Sequence, residues 1–313
     1  MNRPVFVLLV PLLLGGTLSA SPAGTPEERA IEYLTREVPR WSAEHGCFSC
    51  HNDGDGARAL YTAQRRGRAV AATALEATTR WLSRPDSWDS NKGDPRFGDK
   101  VLARIQFATT LSEAVAARKV EDRAALVKAA ELVAELQGLD GSWGIDAPGT
   151  VGSPATYGQA LATALARRTL LAAAPDRFER QTAAADRWLR VITARSIPDA
   201  AAVVLGLDAG APPRDRSGEM IERSQAADGG WGPYATSPTE PFDTAVALLA
   251  LSSSPGGPER EARIRRGRAF LVSSQLPDGS WQETTRPPRS ESYAQRISTT
   301  AWVVQALLAT ETP

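Results

Sequence analysis

Two cysteines and a histidine at close spacing carry the most distinctive chemistry in the sequence. Cys47, Cys50 and His51 spell C-x-x-C-H, and the chain of 313 residues holds no further cysteine and only one further histidine. In covalent haem attachment, two thiols at this spacing add to the haem vinyl groups and the adjacent histidine binds the iron. The stretch therefore predicts haem c, with Cys47 and Cys50 as attachment sites and His51 as an axial ligand of the iron.

Two other interpretations of this loop stay open. A disulfide or redox pair between Cys47 and Cys50 fits an exported protein, because thiols outside the cytoplasm often pair. A zinc site would combine His45 with the motif residues, but zinc sites usually recruit a second ligand pair farther along the chain. Zinc is therefore less favoured than haem c as the cofactor.

The sixth ligand of a haem iron has one candidate in the sequence. Met220 is the only methionine after Met1, and it lies far from the motif along the chain. The sixth position is filled by Met220, filled by another residue, or open. A filled position favours electron transfer, whereas an open one favours ligand sensing or peroxide chemistry.

The amino-terminal segment predicts an exported protein. One positive charge at Arg3 precedes an apolar run over residues 5–14, and small residues follow it. This is the layout of a secretory signal peptide, which we assign to residues 1–20. The run is shorter than the ~20 residues that span a bilayer, although a retained anchor is the alternative. No later apolar run reaches that length, so we expect a periplasmic or secreted protein with no transmembrane span.

Charge and length constrain the class of protein. The 36 basic and 36 acidic residues balance, and no basic run indicates a nucleic-acid partner. The length allows one large domain or two small ones.

A repeated turn organises most of the chain. Apolar residues recur at three- and four-residue steps on both sides of each copy, which predicts helices. An Asp-Gly pair in each copy predicts a tight turn between those helices. The three copies share one spacing from Gln to Trp: Gln137-Asp140-Gly141-Trp143, Gln225-Asp228-Gly229-Trp231 and Gln275-Asp278-Gly279-Trp281.

Weaker copies of the repeat complete the pattern. The predicted turns fall near residues 47, 88, 143, 196, 231 and 281, a spacing that suits helix-pair repeats of about 40–50 residues. No long segment alternates with a period of two, so we predict an all-α protein of about six helix hairpins. The C-x-x-C-H loop, residues 47–51, takes the turn position of the first repeat. Six hairpins can close into a ring, which needs no end caps.

The repeats resemble those of the terpenoid-cyclase and protein-prenyltransferase superfamily over residues 27–312. They are most similar to the carboxyl-terminal half of squalene-hopene cyclases. The resemblance implies an α/α toroid, in which inner helices surround a cavity and outer helices form a sleeve. It also implies that the repeated Gln and Trp residues brace the helices and take no part in catalysis.

The resemblance also indicates where a cyclase would carry its acid. In the family, an Asp-x-Asp-Asp run precedes Thr-Ala, and its middle acid protonates an alkene. The matching stretch here is EPFDTAVALLAL, in which Glu240 and Asp243 match the outer positions and Phe242 stands at the middle one. We therefore expect cyclase catalysis to be lost. Asp243 is the one remaining candidate acid, and we expect it to cap the helix.

The zinc-dependent prenyltransferase branch is excluded on similar grounds. That branch holds zinc through Asp, Cys and His late in the chain, and no Cys or His follows His51 here.

These observations favour a toroid that binds a lipophilic, terpenoid-like molecule or a redox partner protein and carries a haem c or redox site at the C-x-x-C-H loop. Two other functions stay open: a divergent terpenoid cyclase acting on a polyprenyl substrate, and a structural repeat scaffold. A buried acid facing an apolar cavity would favour the cyclase, and a cavity filled by side chains would favour the scaffold. The candidates for the cavity lining lie at predicted inner-helix starts: Tyr157, Gln159, Phe242, Asp243, Thr299, Thr300 and Trp302.

Overall fold

Twelve α-helices form the part of the chain that the computed structural model describes, which is residues 24–91, 100–145, 151–286 and 292–311. The predicted signal peptide, residues 1–20, lies outside the described residues. Across the described ranges there is no strand, only an isolated bridge between Gln275 and Trp281. The helices are α1 (Pro26–His45), α2 (Ala57–Arg65), α3 (Glu76–Leu82), α4 (Lys100–Ala116), α5 (Arg123–Ala134), α6 (Gln159–Ala173), α7 (Glu179–Val191), α8 (Ile197–Gly206), α9 (Pro212–Arg223), α10 (Pro241–Ser252), α11 (Pro258–Ser273) and α12 (Tyr293–Ala309).

The helices alternate between two concentric layers. The even-numbered helices pack on one another in sequence, α2 on α4 and so on to α12, and α12 packs back on α2. The odd-numbered helices lie outside them, each packed on one or both of its neighbouring inner helices; α11, for example, packs on α10. The six predicted turns fall between an outer helix and the inner helix that follows it. The all-α fold and the α/α toroid are therefore confirmed.

Burial separates the two layers. The inner helix α10 buries nine of its twelve residues, whereas the outer helix α11 buries two of its sixteen, Gly267 and Leu271. A helix that is apolar on all sides must be enclosed, and a helix with one apolar stripe lies at the surface.

The repeated Trp residues lock each outer helix to the next inner one. Each indole N–H donates to a carbonyl ten residues earlier, at 2.7 Å in all three copies. Each Trp main-chain N–H donates to a Thr hydroxyl on the following inner helix, at 2.9–3.2 Å. The pairs are Trp143 with Val133 and Thr163, Trp231 with Ile221 and Thr244, and Trp281 with Leu271 and Thr300.

The repeated Gln residues join neighbouring repeats. Gln137 and Gln225 each donate to the carbonyl of the repeat Gly and to a carbonyl of the next outer helix. Gln275 does the same across the ends of the chain, since its Nε2 lies 2.8 Å from the carbonyl oxygen of Pro26 in α1. An ion pair between Arg268 and Glu27 lies beside this contact. The last repeat therefore closes on the first, and the ring has no free edge.

Within the described residues, every helix is too short or too polar to cross a lipid bilayer.

Candidate functional site

The C-x-x-C-H loop begins where α1 ends. Gly46 adopts φ of 64°, a left-handed conformation that terminates the helix. A π-helical segment, Cys50–Gly56, then leads into α2, with Ser49 as its cap. The Ser49 hydroxyl accepts from the main-chain N–H of His51 at 3.1 Å. Helical turns of this wide type occur often at functional sites.

Two contacts fix the front of the loop. The Asn91 side chain accepts from the main-chain N–H of Phe48 at 3.0 Å and donates to its carbonyl at 2.6 Å. The Phe48 ring stacks on Trp81 with centroids 4.6 Å apart. These contacts restrain the backbone between the two cysteines.

The donor chemistry of the loop fits a haem c site. Both cysteines are thiols; Cys47 is buried and Cys50 is partly exposed. His51 Nδ1 shares a hydrogen bond of 2.9 Å with the Ser298 hydroxyl on α12, and the described residues offer no partner to Nε2. Burial lowers the pKa of His51, with Asp55 opposing, which favours the neutral form of the ring. A neutral imidazole with one nitrogen anchored is the usual arrangement of a metal-binding histidine.

The structure places Met220 away from this loop. Met220 lies on the outer helix α9, which packs on α7, α8 and α10, whereas the Cys50–Gly56 segment packs on α1, α2, α4 and α12. It does not bring Met220 and His51 together. Among the described residues, no three His, Cys, Asp or Glu side chains are grouped so as to hold a metal ion.

Two buried carboxylates follow the motif, and our sequence reasoning did not single them out. Asp53 accepts from the Thr78 hydroxyl at 2.6 Å and from the Ser49 main-chain N–H at 2.9 Å. Burial raises the pKa of Asp53 to about 7. This carboxyl ties the loop to α3.

Asp55 is the second of these carboxylates, and it has a polar shell. The Tyr157 hydroxyl donates to it, Gln106 donates at 3.2 Å, and the Arg58 guanidinium lies 3.3 Å away. Burial raises the pKa of Asp55, while Arg58 and Tyr157 oppose the shift. The pattern Asp-Gly-Asp-Gly, directly before an inner helix, is the sequence feature that could have indicated these two carboxylates.

Trp302 is the centre of an aromatic cluster at the amino ends of the inner helices. The rings of Tyr157 and Phe242 meet it edge-on, with centroids at 5.5 Å and 5.7 Å. The Arg58 guanidinium lies over the Trp302 ring at 4.4 Å. Tyr157 adopts φ of 60°, which is unusual for a residue with a Cβ and indicates that its position is imposed by its surroundings. These side chains fill this end of the ring.

Asp243 lies beside that cluster and forms an ion pair with Arg286. The expectation that Asp243 caps α10 is wrong: the helix begins at Pro241, so Glu240 occupies the cap position and Asp243 falls inside the first turn. The fixed φ of proline suits the first helical position, and Pro241 sets the cap three residues earlier than expected, at Glu240. Burial raises the pKa of Asp243 to about 8, with Arg286 opposing.

The remaining predicted lining residues brace the repeat turns. Gln159 donates to the Ser142 hydroxyl at 2.7 Å. The hydroxyls of Thr299 and Thr300 each accept a main-chain N–H, from Thr284 and Trp281 respectively, at 3.2 Å. Their side chains hold the inner helices to the preceding loops.

A cavity of about 360 Å³ opens at the other end of the ring. Its walls come from all six inner helices, and Trp302 is the one predicted lining residue that faces it. Apolar walls are supplied by Leu165, Leu205 and Leu249, and the polar surface includes four arginines and one glutamate. The inner helices are parallel, so the cavity lies at their carboxyl ends, whereas Asp55 and Asp243 lie at their amino ends.

Curated proteins similar in sequence are terpenoid cyclases. The chain is 35% identical over 100 residues to lanosterol synthase of Saccharomyces cerevisiae, a match to 30% of this chain and 13% of that enzyme. It is 35% identical over 108 residues to drimenyl diphosphate synthase of Streptomyces showdoensis, a match to 32% of this chain and 19% of that enzyme. The match thus spans less than a fifth of the length of either relative. No protein-family model matches the chain.

Solved structures share the fold along nearly the whole chain. A protein from Actinoplanes matches with a TM-score of 0.61 at 18% identity, covering 92% of this chain and 99% of its own. A type II terpene cyclase from Scytonema, solved with geranylgeranyl dihydroxybenzoate, matches with a TM-score of 0.59 at 14% identity, covering 91% and 96%. A protein from Klebsiella pneumoniae described as a possible GH105 member matches at 0.54 and 13%, covering 97% and 98%. Identities this low show a shared fold alone. The chain is thus an α/α toroid whose fold is similar to that of a type II terpene cyclase and part of whose sequence is similar to terpenoid cyclases.

Proposed function

We propose that the protein binds a lipophilic, terpenoid-like molecule in the cavity at the carboxyl ends of its inner helices and does not cyclise it. One observation carries this proposal: the cavity and the buried acids lie at opposite ends of the ring. A volume of about 360 Å³ lies within the range of small-molecule pockets. The three leucines and Trp302 supply the apolar surface that such a ligand needs.

Alkene protonation requires a neutral acid that faces the substrate, because an alkene is a very weak base. Asp55 is enclosed by donors and by Arg58, and Asp243 contacts Arg286. Neither carboxyl lines the cavity. Phe242 stands where the resemblance places the protonating acid, and its ring packs on Trp302. Binding without cyclisation is therefore the function that this geometry supports best.

The proposal is tested by titrating the protein with farnesol, a lipophilic terpenoid alcohol, in a calorimeter. We expect saturable binding to the wild type. Leu249→Trp, which fills the cavity from its wall, should weaken binding at least tenfold. Val191→Trp adds the same side chain at a site that is 78% exposed on an outer helix, and it should bind like the wild type. Binding that is equal in all three proteins would contradict the proposal.

A divergent cyclase is the second candidate, and the Asp243 carboxyl favours it. A pKa raised to about 8 leaves this group largely protonated at neutral pH. Cyclised products from farnesol or squalene that disappear in Asp243→Asn would establish this candidate in place of the first.

We also propose an exported protein whose C-x-x-C-H loop holds a covalent haem. Cys47 and Cys50 would hold the macrocycle and His51 would bind the iron, with Ser298 orienting the imidazole. When bound, the haem supplies one-electron chemistry. The anchored, neutral imidazole supports this proposal over a simple disulfide.

An intact-mass measurement tests the haem proposal on protein expressed with the cytochrome c maturation machinery. We expect the wild type to carry the added mass of one haem. The double variant Cys47→Ala, Cys50→Ala should carry none, and a chain without residues 1–20 should carry none, because attachment follows export. A wild-type mass lower by two hydrogens would instead establish the disulfide, and an unmodified mass would contradict the haem.

A further inference from the structure

Four arginines surround the cavity against one glutamate. Arg58 and Arg65 belong to α2, Arg66 follows it, and Arg168 lies on α6; Glu113 on α4 is the acidic residue of the lining. A cavity built only for a hydrocarbon would gain nothing from this excess of positive charge, because charged groups are costly to bring near apolar surface.

Two of the four arginines have an acidic partner in the protein, Arg58 with Asp55 and Arg65 with Glu113, and two have none within the part of the chain that the structure describes. Arg65 pairs with Glu113 at 3.2 Å. In the described residues, Arg66 and Arg168 have no acidic side chain within ion-pair distance. Arg58 is 3% exposed, and its Nε and Nη2 make no hydrogen bond although Asp55 lies nearby. A buried donor without a partner is destabilising unless something else satisfies it.

The arginines are close enough for their charges to interact. The Arg168 side chain is exposed to solvent at the cavity, and partial desolvation together with the neighbouring Arg58 and Arg65 lowers its pKa, while Glu113 opposes them. An anion among these groups would remove the repulsion and satisfy the free donors.

The carboxyl ends of the helices offer another reason for nearby cations. Each helix end carries about half a negative charge, and the effect fades within the last turn. This accounts for Arg65 and Arg66, which lie at the end of α2. It does not account for Arg58, which lies in the first turn of α2, nor for Arg168, which lies more than a turn before the end of α6.

We infer that the cavity binds its ligand through an anionic group, a carboxylate or a phosphate, held among Arg58, Arg65 and Arg168 with Arg66 beside them. The apolar part of the same ligand contacts Leu165, Leu205 and Leu249. The inference rests on the proposed function and names the chemical class of its ligand: an amphipathic, acidic terpenoid. Guanidinium groups suit both anions because their donors match carboxylate and phosphate oxygens in pairs.

The test compares probes that share one hydrocarbon tail. Farnesol, farnesoic acid and farnesyl monophosphate are each titrated into the wild-type protein, with inorganic phosphate as a probe that lacks the tail. We expect one or both acidic probes to bind at least tenfold tighter than farnesol. The acidic probes should also weaken as salt is raised, while farnesol should not, because salt screens charge.

Variants assign the effect to the arginines. In Arg168→Gln and in Arg66→Gln, the ratio of affinities between the acidic probe and farnesol should fall at least fivefold. Arg187→Gln, at an exposed site on the outer helix α7, should keep the wild-type ratio.

The outcomes separate the inference from the proposed function. Equal affinity for farnesol and the acidic probes would overturn the inference and leave the proposed function standing. A ratio that survives both arginine variants would also overturn the inference. Inorganic phosphate binding as tightly as farnesyl monophosphate would support the anion site but contradict a lipophilic ligand. No binding of any probe would contradict both.

Discussion

At the residue scale, the buried pair of Arg58 and Asp55 packs against Trp302 and stabilises the amino end of the ring. Arg58 lies between the Asp55 carboxylate and the Trp302 ring, and all three are nearly inaccessible to solvent. Removing one partner of a buried ion pair is far more destabilising than the pair is stabilising, because the other charge is left without compensation. The pair therefore acts as a fixed element of the core beneath the cavity.

Removal of the Asp55 carboxylate should therefore be costly. We expect Asp55→Ala to lower the free energy of unfolding by about 3–5 kcal/mol, since Arg58 would remain buried and charged. Asp86→Ala is the matched control: Asp86 is exposed and pairs with Lys128 at 3.3 Å, so its loss should cost about 1 kcal/mol or less. Urea denaturation of both variants measures the difference, and equal losses would contradict the account of the buried pair.

Asp243 should make stability depend on pH. Its pKa is raised by burial from its ordinary value to about 8, and its Oδ1 has no hydrogen-bond donor. A carboxyl whose pKa is higher in the folded state stabilises the fold at low pH, and this contribution is lost as pH rises from about 4 to about 8. The wild type should therefore lose several kcal/mol of stability from this group over that range.

The substitution Asp243→Asn isolates this effect. The loss of the Arg286 partner adds a constant offset, because arginine stays charged at every pH tested. The pH dependence should disappear with the carboxyl, so the difference in unfolding free energy between variant and wild type should move in favour of the variant from pH 4 to pH 8. A difference that is flat with pH would show that the pKa of Asp243 is the same in the folded and unfolded states.

The sequence predicts some of these residues and not others. The C-x-x-C-H residues were recognisable because one short loop contains them all. The partners of Asp55 were not, since Tyr157 lies 102 residues away along the chain and meets it only after the ring closes. The repeat predicted which helices line the ring, but not that the cavity opens at their carboxyl ends. Six of the seven residues predicted to line the cavity lie toward the amino ends of the inner helices, away from the cavity.

At the element scale, the repeat turns depend on glycine for two reasons at once. Gly141, Gly229 and Gly279 adopt φ of 93°, 91° and 92°, a region that disfavours a Cβ. An added Cβ at Gly279 would also lie 2.5 Å from the carbonyl oxygen of Arg29 in α1. The turn is thus pressed against the next outer helix, which explains the repeated Asp-Gly.

Gly279→Ala tests this packing. We expect a loss of about 2–4 kcal/mol, from backbone strain and from the displaced α1. Gly144→Ala is the control, because no atom lies within 4 Å of its added Cβ. Thermal denaturation should place Gly279→Ala well below Gly144→Ala, and a similar melting temperature for the two would contradict the turn geometry.

The sequence predicted helices and turns where the Gln, Asp-Gly and Trp pattern is complete, and it missed some elements where the pattern is absent. Turns with Gln, Asp-Gly and Trp were located correctly because their hydrogen bonds are local and repeated. The π-helical segment at Cys50–Gly56 and the short helix α3 carry no such signal. Their conformation is set by distant contacts, such as that of Asp53 with Thr78.

At the scale of the whole molecule, closure of the ring should make folding cooperative. In an open array of repeats, a terminal repeat can be removed and the remainder stays folded. Here α1 contacts Gln275, Arg268 and the turn at Gly279 from the last repeat. Deletion of residues 1–46 should therefore abolish the cooperative unfolding transition seen by circular dichroism. A shortened chain that still melts sharply would indicate that the repeats are stable without closure.

The two ends of the ring have different roles in this account. The amino end is closed by Trp302, its aromatic neighbours and the contacts of Arg58 with Asp55 and of Arg286 with Asp243. The loop with Cys47 and His51 lies next to this end. The carboxyl end carries the open cavity. Arg58 and Trp302 are shared by both, since they pack on the buried network and also line the cavity.

The most direct test of the central claim is the identity of the molecule recovered from the protein. Wild type and Leu249→Trp are incubated with farnesol, separated from unbound ligand by gel filtration, extracted, and analysed by gas chromatography with mass spectrometry. We expect unchanged farnesol from the wild type and little or none from Leu249→Trp. A cyclised product, or equal recovery of farnesol from the two proteins, would contradict this claim.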